Sequence, residues 1–343
     1  MSRLATIPTA TLARAFASHH PRAPTSRRAA RVVRRHGHRG GHHGRGLPLR
    51  VSASASDGAP SDASSDASDA AHRALAVAFV DARVRDGHRV GVGSGPIVAA
   101  ILSEIHARLA DGALSDVRAV PTGTLSAKEA AVVGVPVDAL DAVPAVDVLV
   151  LEPDEVVVGA LDDDGASAGV AAVLGRAQRP VQPDLILLHA VMRKSIDVVM
   201  VADQLQDPAP LGGTIPIAMS AASAAEWEEA AEELDDAFLG DAEVWRRGAE
   251  LDANPRGGKQ PYVSPDGTHT VVDLKFVDPT TGGRWEDGML LCGKRATPWQ
   301  IAEELEGSEG VLAHGIVTRA DAVVVVDKDA PGGARTIHVA KRG

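Results

Sequence analysis

The stretch Arg89-Val90-Gly91-Val92-Gly93-Ser94-Gly95-Pro96 constrains the fold more than any other part of the chain. It sets glycines at every second position between a short apolar run and a helical pattern, Pro96-Ile97-Val98-Ala99-Ala100-Ile101-Leu102. Glycine lets the backbone turn sharply from strand to helix and approach a ligand closely. The helix that follows presents free N–H groups and the positive end of its dipole, which is where an anion is held. Gly91, Gly93, Ser94 and Gly95 are therefore the candidate phosphate-binding residues. The same glycines also serve a plain tight turn, and the turn alone does not separate the two readings.

The patterns around it alternate. Residues 69–86 fit an amphipathic helix, Val90–Val92 a strand, and Pro96–Ala110 a helix with proline in its first turn. A strand at Val117–Pro121 and a helix at Leu125–Val133, ended by Gly134, come next. Val146–Leu151, broken only by Asp147, and Val198–Ala202 are apolar strands of the kind that suits a buried parallel sheet, with a helix over 184–194 between them. This order predicts right-handed βαβ units and an α/β fold, a doubly wound, mostly parallel Rossmann-like sheet. The pattern then changes to a strand at Ile215–Met219, an acidic helix over 222–238 and an alternating strand at His269–Val277 after the Pro265-Asp266-Gly267 turn. A helix over 297–306 and strands over 311–317, 321–326 and 336–340 complete the chain. The expected division is a Rossmann-like domain over 69–212 and 318–343, with a smaller inserted α+β lid domain over 213–317.

Charge is unevenly spread. Residues 1–56 hold 11 Arg and no Asp, Glu or Lys, while the remaining 24 basic and 46 acidic residues leave that part at −22. The acidic body argues against nucleic acid or an anionic membrane surface as partner, because both need a basic face. No apolar run reaches membrane-spanning length. The Arg-, Ala- and Ser-rich, acid-free start has the composition of an organelle transit peptide, expected over residues 1–51 with a plastid-type cleavage region at Leu49-Arg50-Val51-Ser52-Ala53. The expected location is therefore the chloroplast stroma. Residues 52–68 are Ser/Ala/Asp-rich and are expected as a disordered linker. The His36–His43 tract is read as part of the discarded leader. The single cysteine, Cys292, excludes an internal disulfide and is expected as a small buried residue.

Several segments, in order, resemble the ribose-5-phosphate isomerase A family. Gly91-Val92-Gly93-Ser94-Gly95 is similar to its G-x-G-[ST]-G turn, and Lys128–Val137 to its helix leading into G-I-P-L. Val146–Val156 stands where the family has V-D-x-x-x-D-G-A-D-E-V, and Val201-Ala202-Asp203 matches a V-A-D strand end. Pro261-Tyr262-Val263 through Val272-Asp273-Leu274, and Gly310–Ile316, match two further segments. Asp235–Arg247 resembles a plastid subgroup of plants and green algae. The resemblance covers roughly 72–340. It implies interconversion of ribose 5-phosphate and ribulose 5-phosphate in pentose phosphate metabolism, with no cofactor and no metal. It also implies a small phosphorylated sugar as ligand and is compatible with a homo-oligomer.

An aldose–ketose interconversion through an enediol needs a carboxylate that moves a proton between adjacent carbons. It needs groups that stabilise the enediolate oxyanion, and a cradle for the phosphate. Asp154 is the retained family acid and the candidate catalytic residue. The chain departs from the family pattern elsewhere. The family's Glu, after a K-G-G-G segment, falls near Leu188 or His189. Arg179-Pro180-Val181-Gln182 replaces the glycine run, the lysine after V-A-D gives way to the region of Gln206, and the first Asp of D-G-A-D becomes Leu151. Pro96 and Ile97 stand where the family has hydroxyl residues. These departures set a second reading beside the first: a non-catalytic sugar-phosphate-binding or regulatory protein on the same fold.

Other residues carry two readings each. His189 is a proton carrier or an ordinary helix histidine; Asp184 is a base or a helix cap. Asp154 faces the crevice at the carboxyl ends of the strands or serves turn chemistry. Asp162-Asp163-Asp164 is a cation site or a solvated loop. Trp245-Arg246-Arg247 is an anion-binding patch or lid packing. His314 is assigned no role.

Overall fold

A computed structural model describes residues 62–162, 166–176, 184–205, 211–220, 224–238, 240–248, 262–276 and 288–340. Residues 1–51, expected as a leader and including His36–His43, lie outside these residues. In chain order the first half comprises α1 (Asp62–Arg83), β1 (Arg89–Val92), α2 (Pro96–Asp111), β2 (Arg118–Pro121), α3 (Thr124–Val133) and β3 (Val146–Leu151). It continues through β4 (Glu155–Val158), β5 (Val170–Val173), α4 (Leu185–Lys194) and β6 (Ser195–Ala202). The second half has β7 (Gly213–Ser220), α5 (Ala224–Phe238), β8 (Glu243–Arg246), β9 (His269–Phe276), β10 (Leu290–Leu291) and β11 (Lys294–Arg295). It closes with α6 (Pro298–Gly307), β12 (Val311–His314), β13 (Ile316–Val317), β14 (Ala322–Val326) and β15 (Ala334–His338).

The central sheet runs β2-β1-β3-β6-β14-β15, parallel except for the antiparallel edge strand β15. Its strands are buried on both faces, and their side chains divide with period two. Val148 and Val150 of β3 and Val199 and Val201 of β6 join the core beneath α1 and α2. Leu149, Leu151, Val198 and Met200 join the core on the other face, where α4 packs through Leu185, Leu188 and Val191. The chain leaves β1 to one side to form β2 and returns on the other side of β1 to form β3. That reversal opens a crevice at the carboxyl ends of β1 and β3, the place where open α/β sheets bind ligands.

The second half builds a four-stranded antiparallel sheet, β12-β7-β9-β8, covered by α5 and α6. Phe238 meets Phe276 edge-on at 5.7 Å between ring centroids in its core. A small sheet, β13-β5-β4, lies between the two larger ones. Residues 311–317, expected as one strand, are two. Gly315 sits at the break, where a Cβ would collide with the Leu174 carbonyl and come within 2.7 Å of Pro216. Only glycine lets the chain cross there from one sheet to the next.

Three local expectations are corrected. α1 begins at Asp62, inside the stretch expected as a linker, because its alanine content carries the helix back over polar residues. β4, β5 and β8 are further strands of four residues each, which the sequence patterns did not mark. Cys292 is exposed, not buried. It occupies the two-residue turn joining β10 to β11 with φ 53°, followed by Gly293 at φ 70°, as the favoured hairpin turn requires.

Candidate active site at the sheet switch point

The turn after β1 and the turn after β3 face each other across a cleft of about 450 Å³. Its walls include Gly93, Ser94, Gly95, Thr122, Glu129, Glu152, Asp154 and Gly175. The structure thus brings Gly93, Ser94, Gly95 and Asp154 together. Gly91 lies one step back inside β1, paired with Val120 and Leu149. The turn is held to the sheet by the Gly93 N–H, which donates to the Val150 carbonyl at 2.9 Å. Opposite, the Thr122 N–H and hydroxyl both donate to the Val92 carbonyl, at 3.0 and 3.1 Å.

Gly95 stands immediately before α2 with φ 145° and ψ 166°, a conformation open in practice only to glycine. The space a Cβ would fill belongs to the Glu152 carboxylate, whose Cδ would lie 2.5 Å away. The Ile97 N–H donates to Glu152 Oε2 at 2.8 Å and the Val98 N–H to the same oxygen at 3.2 Å. A carboxylate of the chain itself therefore occupies the anion-binding end of α2. Burial pushes the Glu152 carboxyl up to about 7, against the downward pull of the two amides and of His72. His72, on α1, lies with Nε2 2.6 Å from Asp203 Oδ1 at the end of β6, so the V-A-D strand end borders the same corner.

Asp154 is exposed at the rim. Its N–H donates to the Val173 carbonyl at 2.9 Å, and its Oδ2 accepts from the Arg176 N–H at 2.8 Å. The adjoining Glu155 is buried and paired with the Arg176 guanidinium, which also donates to the Thr214 and Gly212 carbonyls. This buried pair ties β4 to β7 and fixes the turn carrying Asp154. Arg247, paired with Asp273, donates to the Gly175 carbonyl at 3.0 Å on the cleft's far wall.

Other candidates fall elsewhere. Asp184 caps α4, accepting from the Leu187 N–H at 3.0 Å. His189 lies on α4, with Nε2 2.8 Å from the His314 carbonyl oxygen and its ring edge-on to that of His314 at 5.5 Å. Burial lowers the pKa of His189 and, together with the neighbouring His189 ring, brings His314 down to about 4. Neither ring is among the walls of the cleft. In the Trp245-Arg246-Arg247 stretch, Trp245 Nε1 donates to Glu243 at 2.6 Å, Lys275 lies over its ring at 4.1 Å, and Arg247 is buried in its ion pair with Asp273. Asp162 Oδ1 accepts from the Ala166 N–H at 2.8 Å within its own turn. Asp163, Asp164, Arg179–Gln182 and Gln206 lie outside the described residues. Among the described residues, none of the cleft walls is Lys or Arg. Glu152 is the residue the sequence reading missed. Its one signal is an acid placed directly after a buried parallel strand, next to the strand that carries the glycine turn.

The model of the family described as ribose 5-phosphate isomerase A (phosphoriboisomerase A) matches residues 118–330. This chain belongs to the ribose 5-phosphate isomerase A family. Ribose-5-phosphate isomerase A of Synechococcus sp. (strain WH7803) is 29% identical over 254 residues, covering 74% of this chain and 89% of that protein. The probable ribose-5-phosphate isomerase 3, chloroplastic, of Arabidopsis thaliana is 26% identical over 250 residues, covering 72% and 76%. A D-ribose-5-phosphate isomerase solved in complex with phospho-erythronic acid superposes with a TM-score of 0.57 at 20% identity, over 79% of this chain and 98% of that one. That likeness shows the isomerase fold. Within the ribose 5-phosphate isomerase A segments quoted above, Asp154 keeps the second acid of D-G-A-D, and Glu152 stands where the motif has glycine.

Proposed function

We propose that the chain is a plastid ribose 5-phosphate isomerase that interconverts ribose 5-phosphate and ribulose 5-phosphate in the cleft between β1 and β3. The observation that carries this reading is the meeting of the glycine turn with Asp154 at the sheet's switch point, in a chain of this family. The phosphate is assigned to the turn Gly93-Ser94-Gly95 and the first turn of α2, where the helix dipole favours an anion and the Ile97 and Val98 N–H groups would receive it once Glu152 releases them. The sugar then extends along the cleft toward Asp154. Asp154 is the carboxylate assigned to carry the proton between the first and second carbons, and the backbone contact from Arg176 holds it in place. The plastid assignment rests on the Arg-rich, acid-free first 56 residues. It also rests on the chloroplastic name of the Arabidopsis relative.

A second reading, sugar-phosphate binding without turnover, draws support from one observation. The α2 amides are already met by Glu152, and among the described residues none of the cleft walls is Lys or Arg to steady an enediolate. Turnover separates the two. The full chain is assayed with ribose 5-phosphate beside Asp154→Ala. The isomerase reading expects ribulose 5-phosphate from the wild type and a loss of roughly 100-fold or more in the variant. Binding of ribose 5-phosphate with no turnover supports the second reading. Equal turnover by both proteins refutes the role given to Asp154.

A further inference from the structure

We propose that Glu152 sets which ligands the cleft admits: its carboxylate competes with the ligand's phosphate for the Ile97 and Val98 N–H groups, so an anion enters only when that carboxylate is protonated or swung away. The inference rests on the assignment of the phosphate to the first turn of α2. It is carried by geometry. One carboxylate oxygen accepts from both amides, and the side chain fills the space beside Gly95 that a phosphate at this turn would need.

The charges that face Glu152 make the competition sharper. Asp154 shares its turn, Glu129 of α3 forms part of the opposite wall, and Asp203 ends β6 nearby. Against these acids stands His72 of α1, engaged with Asp203. A dianion arriving at an ionised Glu152 therefore meets like charge at contact distance in a site already rich in acids. A neutral carboxyl removes the repulsion and gives up the amides more readily. Burial supports this by holding the Glu152 carboxyl up to about 7, so both forms are populated near neutrality.

The test uses the full chain, with inorganic sulfate as a probe whose own charge stays constant across the range. Calorimetric affinities are measured from pH 6 to pH 8 for the wild type, Glu152→Gln and Glu152→Gly, and ribose 5-phosphate is titrated at pH 8. In the wild type, affinity should weaken by about tenfold over this range, as the protonated fraction falls. The Gln and Gly variants should lose most of that dependence and bind both probes more tightly than the wild type at pH 8. Equal affinities in wild type and variants at pH 8 overturn the proposal. So does an undiminished pH dependence in Glu152→Gln. Failure of every variant to bind either probe instead removes the phosphate assignment itself, and the proposal with it.

Discussion

Replacing Gly95 by alanine tests the cleft's construction with a single methyl group. Two costs follow from the structure. The backbone at φ 145° and ψ 166° is forbidden in practice to an L side chain, at about 1–3 kcal/mol. The new Cβ also takes the space of the Glu152 carboxylate. That carboxylate ends a flexible side chain and swings away, so the second cost is the loss of its bonds from Ile97 and Val98. Hydrogen bonds to a charged group contribute about 1.5–3 kcal/mol each, and water entering the open cleft returns much of this, leaving about 1 kcal/mol net. Gly95→Ala should therefore destabilise the protein by about 2–4 kcal/mol. The same change made in Glu152→Gly should cost only the backbone part. Urea unfolding of wild type, both single variants and the double variant at pH 8 gives the coupling, expected at about 1 kcal/mol. A Gly95→Ala cost below about 0.5 kcal/mol, or the same cost in both backgrounds, refutes the reasoning.

Arg176→Met should strip the guanidinium from the buried Glu155 carboxylate and destabilise the fold by about 3–5 kcal/mol in the same assay; a loss under about 1 kcal/mol would contradict this. His314 is held down to about 4 by burial, so the unfolded chain binds its proton first as the solution is acidified. The stability it contributes is complete above about pH 6.5 and is lost as pH falls through about 4, for a total of about 3 kcal/mol. His314→Leu should flatten the fall in the urea midpoint between pH 7 and pH 4.5, and an unchanged slope would contradict this. Asp184→Ala should cost about 1 kcal/mol of stability through the lost α4 cap and leave any turnover intact; a loss of turnover at unchanged stability would restore Asp184 as a base.

The central sheet was legible because its strands are buried on both faces. Val146–Leu151 and Val198–Ala202 read as apolar runs whatever their partners, and the helices between them carry their own periodicity. The cap at Asp184 was equally local, a single acid before an apolar helix. β4, β5 and β8 were not legible, since they lie outside the alternating strand–helix pattern that located the equally short β1 and β2. The exposed position of Cys292 follows from a hairpin turn whose flanking strands have only two residues each. At the site, Gly93, Ser94 and Gly95 were singled out by their turn chemistry, and Asp154 by its place in the family's D-G-A-D segment. Glu152 was not, because its role depends on the sheet order. Only when β3 lies beside β1 does the residue after Leu151 reach the amides of α2.

The most direct test of the account is a crystal structure of the protein with ribose 5-phosphate. The account predicts the phosphate within hydrogen-bond distance of the turn Gly93–Ile97, the sugar reaching Asp154, and the Glu152 carboxylate displaced from the Ile97 and Val98 amides. Ribose 5-phosphate bound away from the β1–β3 cleft, or bound there with Glu152 still on those amides, would contradict it.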